Sequence, residues 1–280
     1  MNLVLQGPGA SSSTLQALAA LARPARVSIL SPHALRCEDV ASTPDVMQAV
    51  QAAALTAQVD ATFIEAGRTL ADFSLVAMDM DSTLITIECI DEIADMQGLK
   101  AEVSEITESA MRGELDFAAS LTRRVALLEG LEASALERVY EERLRLSPGA
   151  ETMLAAVKAA GLKTLLVSGG FTFFTDRLKT RLGLDYTHAN VLEVENGRLT
   201  GRVLGGIVDA GEKMRTVERV CAELGVDARR AIVMGDGAND LKMMGIGGLS
   251  VAFRAKPVVR AQADVALNVS GLDGVLAVLG

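Results

Sequence analysis

The stretch "VAMDMDSTLITI" (Val76–Ile87) decides how the rest of the chain is read. Its opening residues form the apolar run of a buried strand, and the run ends on two acids, Asp79 and Asp81. In an open α/β sheet, functional side chains collect just beyond the carboxyl ends of the strands. Residues two apart in extended chain point to one side, so both carboxylates can face one centre.

Downstream, from Ile87 to Leu146, the segments "DEIADMQGL", "EVSEITESAMRG", "FAASLTRRVALLEG" and "SALERVYEERLRL" carry apolar residues at helical spacing, with Gly98, Gly113 and Gly130 as stops. They predict an all-helical insert. After Pro148-Gly149 the chain alternates strand and helix as a parallel sheet with crossovers does. Strands are expected at Thr164–Val167, Ala231–Met234, Leu249–Ala252 and Val265–Asn268. "LEVENGRLTGRVL" (192–204) predicts a hairpin about Asn196-Gly197.

Upstream, the expected order is strand (Asn2–Leu5), helix (Thr14–Leu21), strand (Arg26–Leu30), strand (Ala34–Glu38), helix (Pro44–Thr56) and strand (Val59–Ile64). That is the order of a small ferredoxin-like α+β unit. A charged stretch, "EAGRTLADF", leads from it to the Asp79 strand and places a boundary near Ala71. The expected fold is therefore α/β: a Rossmann-like parallel sheet over residues 71–280 with a helical cap inserted at about 88–146, and a separate unit over 1–70.

Bulk properties exclude several classes of function. Lys+Arg 27 against Asp+Glu 36 gives a net charge of −9, which argues against a nucleic-acid binder held by bulk electrostatics. With 3% aromatic residues and no Trp, stacking platforms for bases are absent. Cys37, Cys89 and Cys221 are odd in number and lack C-x-x-C spacing, so they read as reduced, buried thiols. The start "MNLVLQGPGASSS" has no basic region ahead of a long apolar segment, and no uncharged apolar run reaches the roughly 18 residues needed to span a bilayer. The expectation is a cytoplasmic protein with neither membrane nor nucleic-acid partners.

Three strand ends are polar: "DMDST" after "LVAM", "SGG" (Ser168–Gly170) after "TLLV", and "GDGAND" (Gly235–Asp240) after "AIVM". Lys213 joins them from the start of the helix "GEKMRTVERVCAEL". Taken singly, an Asp at a strand end is a cap or turn former, Ser-Gly-Gly is a tight turn and one Lys is a solvated side chain. Together, Asp79, Asp81, Asp236 and Asp240 crowd negative charge into one crevice with one Lys, a costly arrangement unless a cation neutralises it. Oxygen ligands of this kind suit Mg²⁺, which takes one or two carboxylates and reaches a phosphate. Ser168 and the amides of Gly169 and Gly170, just ahead of the helix "FTFFTDRLKT", offer an anion site, and Lys213 adds a point charge. An EF-hand reading of the Asp79 segment fails, since position six is Leu84 and position twelve is Ile90. "GDGAND" fails as a dinucleotide fingerprint, since Asp240 stands where the third Gly belongs.

These blocks, in this order, resemble the haloacid dehalogenase superfamily of phosphotransferases, whose signature begins D-x-D-x-T after the first core strand. "DMDST" fits it, and the helical insert resembles the mobile cap of its first cap subclass. Within the superfamily, "DMDSTLITIECIDEIA", "SLTRRVALLEG" and "GDGANDLKMM" resemble the phosphoserine phosphatases, over residues 72–280. The resemblance implies an Mg²⁺-dependent hydrolase of O-phosphoserine, acting at the last step of serine biosynthesis. Asp79 would be the nucleophile and Asp81 the general acid/base, with Ser168 and Lys213 completing the catalytic set. Asp79, the main-chain carbonyl of Asp81 and Asp236 would bind the metal, supported by Asp240. In the cap, Glu88 would take the substrate ammonium and Arg124 its carboxylate, with Met111 and Phe117 as an apolar wall. Ser168, Gly169, Lys213 and Asn239 would also touch substrate. Thr122 departs from the family pattern, where a basic residue is common. Residues 1–70 resemble an ACT-like regulatory domain in element order only, which leaves open amino-acid binding or pairing into a homodimer. His33, Cys37 and His188 have no motif around them.

Two alternatives stand beside this expectation. One is a phosphatase for another small monoester, phosphothreonine or phosphohomoserine. The other is a phospho-accepting signalling module, which would also combine an acidic cluster, a Ser or Thr and a Lys.

Overall fold

The computed structural model describes residues 1–111 and 114–280. The chain opens with β1 (Asn2–Gln6), α1 (Ser12–Leu21), β2 (Arg26–Ser31), β3 (Ala34–Glu38), α2 (Pro44–Thr56) and β4 (Asp60–Ile64). Ser11 caps α1 by accepting from the Thr14 amide at 3.1 Å, and Pro44 opens α2, where its missing N–H is not needed. The strands form an antiparallel sheet in the order β2-β3-β1-β4. One face buries Leu3, Leu5 and Cys37 against Leu15 and Val50.

The opposite face is also covered, since Val4 and Ile64 belong to the core of the larger part. Asp60 is 1% exposed, and its carboxylate accepts from the amides of Asn268, Val269 and Ser270 at 2.7–3.3 Å. Backbone donors converging on one anion compensate the desolvation that burial imposes. Gln6 Nε2 donates to Gly274 O at 2.9 Å and Arg36 donates to Ala277 O, so this part is joined to the rest by polar bonds as well as by apolar packing.

The larger part begins with β5 (Leu75–Met78), followed by α3 (Cys89–Asp95), α4 (Lys100–Met111), α5 (Phe117–Ala126) and α6 (Ser134–Arg138). Then come α7 (Ala150–Ala159), β6 (Lys163–Phe171), α8 (Thr172–Leu182), β7 (Tyr186–Glu195) and β8 (Arg198–Leu204). The chain closes with α9 (Ala210–Glu223), β9 (Ala231–Gly235), α10 (Leu241–Ile246), β10 (Leu249–Phe253), α11 (Pro257–Arg260), β11 (Val265–Leu267) and α12 (Gly274–Leu279). The strand order is β11-β10-β9-β5-β6-β7-β8, parallel except for β8. Because β5 has β6 on one side and β9 on the other, the strand order turns there and a crevice opens beyond their carboxyl ends.

Helices α3–α6 form the expected insert. Its two connections run side by side: Thr86 N donates to Arg145 O and Ser147 N to Leu84 O, both at 2.9 Å, and Ile85 bridges Leu146. Gly98 and Gly130 take φ of +72° and +80° at the predicted stops, while Gly113 lies outside the described residues. "SALERVYEERLRL" is shorter as regular helix than predicted, because α6 widens into a π turn over Val139–Arg143. The predicted hairpin is present, but β7 starts earlier. Its first residues, Tyr186–His188, extend the parallel sheet beside β6, and only its second half pairs with β8.

Candidate active site

Asp79 follows the last paired residue of β5, and its amide still donates to Met234 O on β9 at 3.0 Å. The ladder stops at Met78, yet Asp79 (φ −71°, ψ 161°) and Asp81 (φ −63°, ψ 135°) stay extended, so both line one cleft of about 710 Å³. The chain then turns sharply, with Ser82 at φ +55° and the Leu84 amide returning to Asp79 O at 3.3 Å. Asp79 Oδ1 accepts from the Met80 amide at 2.7 Å, while Oδ2 lies 2.7 Å from Lys213 Nζ.

Lys213 is supplied by α9, whose N-cap Asp209 accepts from the Glu212 amide. Its side chain is wholly buried and is shared with Asp240 Oδ1 at 2.8 Å. The other oxygen of Asp240 accepts from the amides of Asp236 and Gly237 at 3.2 and 3.1 Å. Asp240 therefore braces the loop and the lysine, and both its oxygens are committed. Burial and the neighbouring Asp240 raise Asp79 well above the usual carboxylate range, and burial together with Asp240 pushes Asp236 up to about 6. Burial works against the Lys213 charge, but Asp240 and Asp79 hold its pKa above the ordinary value. The lysine stays charged, while burial first and the neighbouring carboxylate second push the acids up.

Ligand oxygens of Asp79, Asp236 and Asp240 lie within 4.8 Å of one another. An all-oxygen set with excess negative charge fits a hard divalent cation. Each oxygen of Asp79 and of Asp240 already has a partner, whereas Asp236 Oδ2 has none among the described residues and is free to ligate. The Thr83 hydroxyl donates to Asp236 Oδ1 at 3.4 Å, a long contact that steadies this carboxylate.

Burial and the nearby Glu88 push Asp81 up to about 8, so it carries a proton at neutral pH. Its Oδ1 accepts only a long 3.4 Å bond from the Cys89 amide. A Cβ at Gly170 would lie 3.0 Å from Asp81 Oδ2 and 2.8 Å from the Met80 methyl, so only glycine lets the loop approach this acid. Ser168 Oγ accepts from the Gly170 amide at 2.8 Å. Against expectation, the Gly170 amide is thus taken up inside the loop, and the Ser168 hydroxyl keeps its own proton to donate.

The cap closes over this floor. Phe117 packs on Gly169, where a Cβ would come within 2.7 Å of its ring. Glu88, Phe117 and Arg124 line the cleft from the cap side, and Ser168, Gly169, Asp236 and Asn239 from the core side. Glu88 accepts from the Ser82 hydroxyl at 2.6 Å. Met111 ends α4, and its side chain lies outside what the structure describes. Lys213 and Asp240 stand behind the cleft wall, reaching it through Asp79 and the 236–237 amides. Neither His33 nor His188 lines the cleft: His33 Nδ1 meets Ala10 O at 3.1 Å and His188 pairs with Glu212 at 3.4 Å.

Two charged lining residues, Asp91 and Lys256, lie beyond the sequence reading. Asp91 faces the cleft one helical turn from Glu88, a spacing of three that could have flagged it. Its Oδ1 and the Nε of Arg124 are buried without a hydrogen-bond partner among the described residues. Lys256, exposed at the mouth, follows β10, a strand end whose apolar run "VAF" hid its importance.

A family model described as haloacid dehalogenase-like hydrolase matches residues 76–245, and one for a domain of unknown function matches residues 3–46. A phosphoserine phosphatase of Polaromonas sp. is 59% identical over 212 residues, covering 74% of this chain and 90% of its own. A haloacid dehalogenase family hydrolase of Salmonella enterica serovar Typhi superposes with a TM-score of 0.91 at 34% identity, over 100% of this chain and 99% of that one. A phosphoserine phosphatase held as a phospho-aspartyl intermediate analogue gives a TM-score of 0.70 at 38% identity, over 74% of this chain and 99% of that one. No described helix is long and apolar enough to cross a membrane. The chain belongs to the haloacid dehalogenase-like hydrolases, in the branch of the phosphoserine phosphatases.

Proposed function

We propose that the protein hydrolyses O-phosphoserine to serine and phosphate through an aspartyl-phosphate on Asp79, the last step of serine biosynthesis, with Mg²⁺ as its divalent ion. One observation carries the reading: a single cleft has Asp79, Asp81 and the Ser168–Gly170 loop as its floor and Glu88 and Arg124 in its roof. A phosphorylated amino acid needs both halves, because its ammonium and carboxylate lie on the far side from its phosphate. Neither phosphothreonine nor phosphohomoserine is favoured by any residue here, and a signalling acceptor has no use for the roof.

Asp79, oriented by the Met80 amide and Lys213, attacks phosphorus in line. Asp81, protonated at neutral pH, gives its proton to the departing seryl oxygen and then takes one from the water that cleaves the acyl phosphate. The Ser168 hydroxyl and the Gly169 amide hold phosphoryl oxygens, while Glu88 and Arg124 grip the ammonium and carboxylate. Asp79, the Asp81 carbonyl and Asp236 would hold Mg²⁺, which when bound would supply neutralisation of negative charge on the phosphoryl group. Phe117 and Asn239 shape the pocket around the substrate.

Residues 71–280 are the catalytic domain, with its cap at about 88–146. Residues 1–70 are a ferredoxin-like, ACT-like unit with a regulatory or homodimerising role; their β-α-β-β-α-β order and the β2-β3-β1-β4 sheet support this. The protein acts in the cytoplasm. Phosphate release from phosphoserine, phosphothreonine and phosphohomoserine, each with and without chelator, tests the reading. Phosphoserine should be fastest and chelation should abolish turnover; faster hydrolysis of phosphothreonine overturns the substrate.

A further inference from the structure

We propose that Asn190 is a positioning residue for phosphoryl transfer, tying the anion loop to the entry of the helix that carries Lys213. The inference rests on the phosphatase reading of this cleft. Asn190 lies on β7, is 1% exposed and touches none of the reacting groups. Its Nδ2 donates to Gly169 O at 2.7 Å, and its Oδ1 accepts from the Val208 amide at 2.8 Å.

Both partners are informative. Val167 pairs with His188 and Phe171 with Asn190, so β6 advances four residues while β7 advances two. Three residues, Ser168–Gly170, thus stand opposite the single Ala189 and bulge towards the cleft, and Asn190 holds the bulge where it re-enters the sheet. On the other side, Val208 directly precedes Asp209, which caps α9 and accepts the Lys213 amide at 2.9 Å through its carbonyl. A single carboxamide thus fixes the distance between the loop that holds phosphate and the helix that holds the lysine. Only a side chain with one donor and one acceptor at this length serves both ends, since either end left unmet would be a buried unsatisfied group. The strands that carry Asp79 and Asp236, β5 and β9, are not held by this link; Asp79 meets it only through Lys213.

The test compares Asn190→Asp and Asn190→Ala with the unsubstituted enzyme, on phosphoserine and on para-nitrophenyl phosphate, across pH 5–9. An ionised Asp can accept from Val208 but repels Gly169 O, whereas a protonated Asp restores the donor. Asn190→Asp should lose about a hundredfold in kcat at alkaline pH, the scale expected of a small misplacement. Relative to wild type at the same pH, it should recover as the solution is acidified. Asn190→Ala should lose kcat at every pH, and both variants should bind Mg²⁺ as wild type does. In the unsubstituted protein the Asn190 side-chain amide hydrogens should exchange slowly, a reading that needs no variant to fold. Wild-type kcat in both variants, a loss in Asn190→Asp without acid recovery, or fast exchange would each overturn the proposal. If wild type cleaves para-nitrophenyl phosphate but not phosphoserine, the substrate reading fails while the role of Asn190 is still decided on the aryl ester.

Discussion

Lys213 Nζ lies 2.7 Å from Asp79 Oδ2 and 2.8 Å from Asp240 Oδ1, with no exposed surface, so one buried ammonium serves two carboxylates. Removing it strands both. Lys213→Met should lower stability by about 3–5 kcal/mol, the scale for breaking a buried ion pair on one side. Denaturant unfolding measures this, and adding Asp240→Asn should return part of the loss. A variant as stable as wild type would show that the acids do not depend on the lysine.

The metal-free protein should lose stability as pH rises. Asp236 and Asp81 are raised in the fold, to about 6 and about 8, from an unfolded value near about 3.9. For raised acids the stabilisation is complete below the unfolded value and disappears as pH climbs through the folded ones. Melting temperature in chelator should therefore fall between pH 5 and 9, and Mg²⁺ should reverse the fall at the alkaline end. A midpoint that rises with pH in chelator would contradict the shared-cation reading of the cluster.

Gly169→Ala places a methyl group 2.7 Å from the Phe117 ring tip, and the cap must yield. Activity on phosphoserine should drop about a hundredfold, since misplacement of this size has that effect. Melting temperature should hardly move, because Phe117 belongs to the cap rather than to the sheet. Steady-state kinetics alongside a thermal melt separates the two.

Arg124→Ala should separate recognition from chemistry. A hydrogen bond to a charged group contributes about 1.5–3 kcal/mol, so kcat/KM for phosphoserine should fall about 10- to 150-fold. para-Nitrophenyl phosphate, which has no carboxylate to grip, should be little affected. Equal loss on both substrates would mean that Arg124 supports the fold of the cap instead.

Much of this site is legible in the sequence, because carboxylates at the ends of apolar strands break a pattern that burial alone would keep apolar. Asp79, Asp81 and Asp236 announce themselves in that way, and the glycines of the Ser168 loop do so by their clustering. Asn190 does not. It belongs to "YTHAN", a polar stretch without an apolar run, and its importance arises only when β7 is laid beside β6 and its amide meets partners 21 and 18 residues away. Asp91 is hidden for a different reason, since an acid in the first turn of a helix also reads as a dipole partner. The widening of α6 at Val139–Arg143 has no sequence signal, as every residue there suits regular helix.

Acid quenching during turnover of phosphoserine, followed by peptide mass analysis, tests directly whether the buried acid beside Lys213 is the nucleophile. A phosphoryl group on Asp79, absent from Asp79→Asn and from samples without divalent ion, is the predicted result. A phosphoryl group on any other side chain, or phosphate release by Asp79→Asn at the wild-type rate, would contradict it.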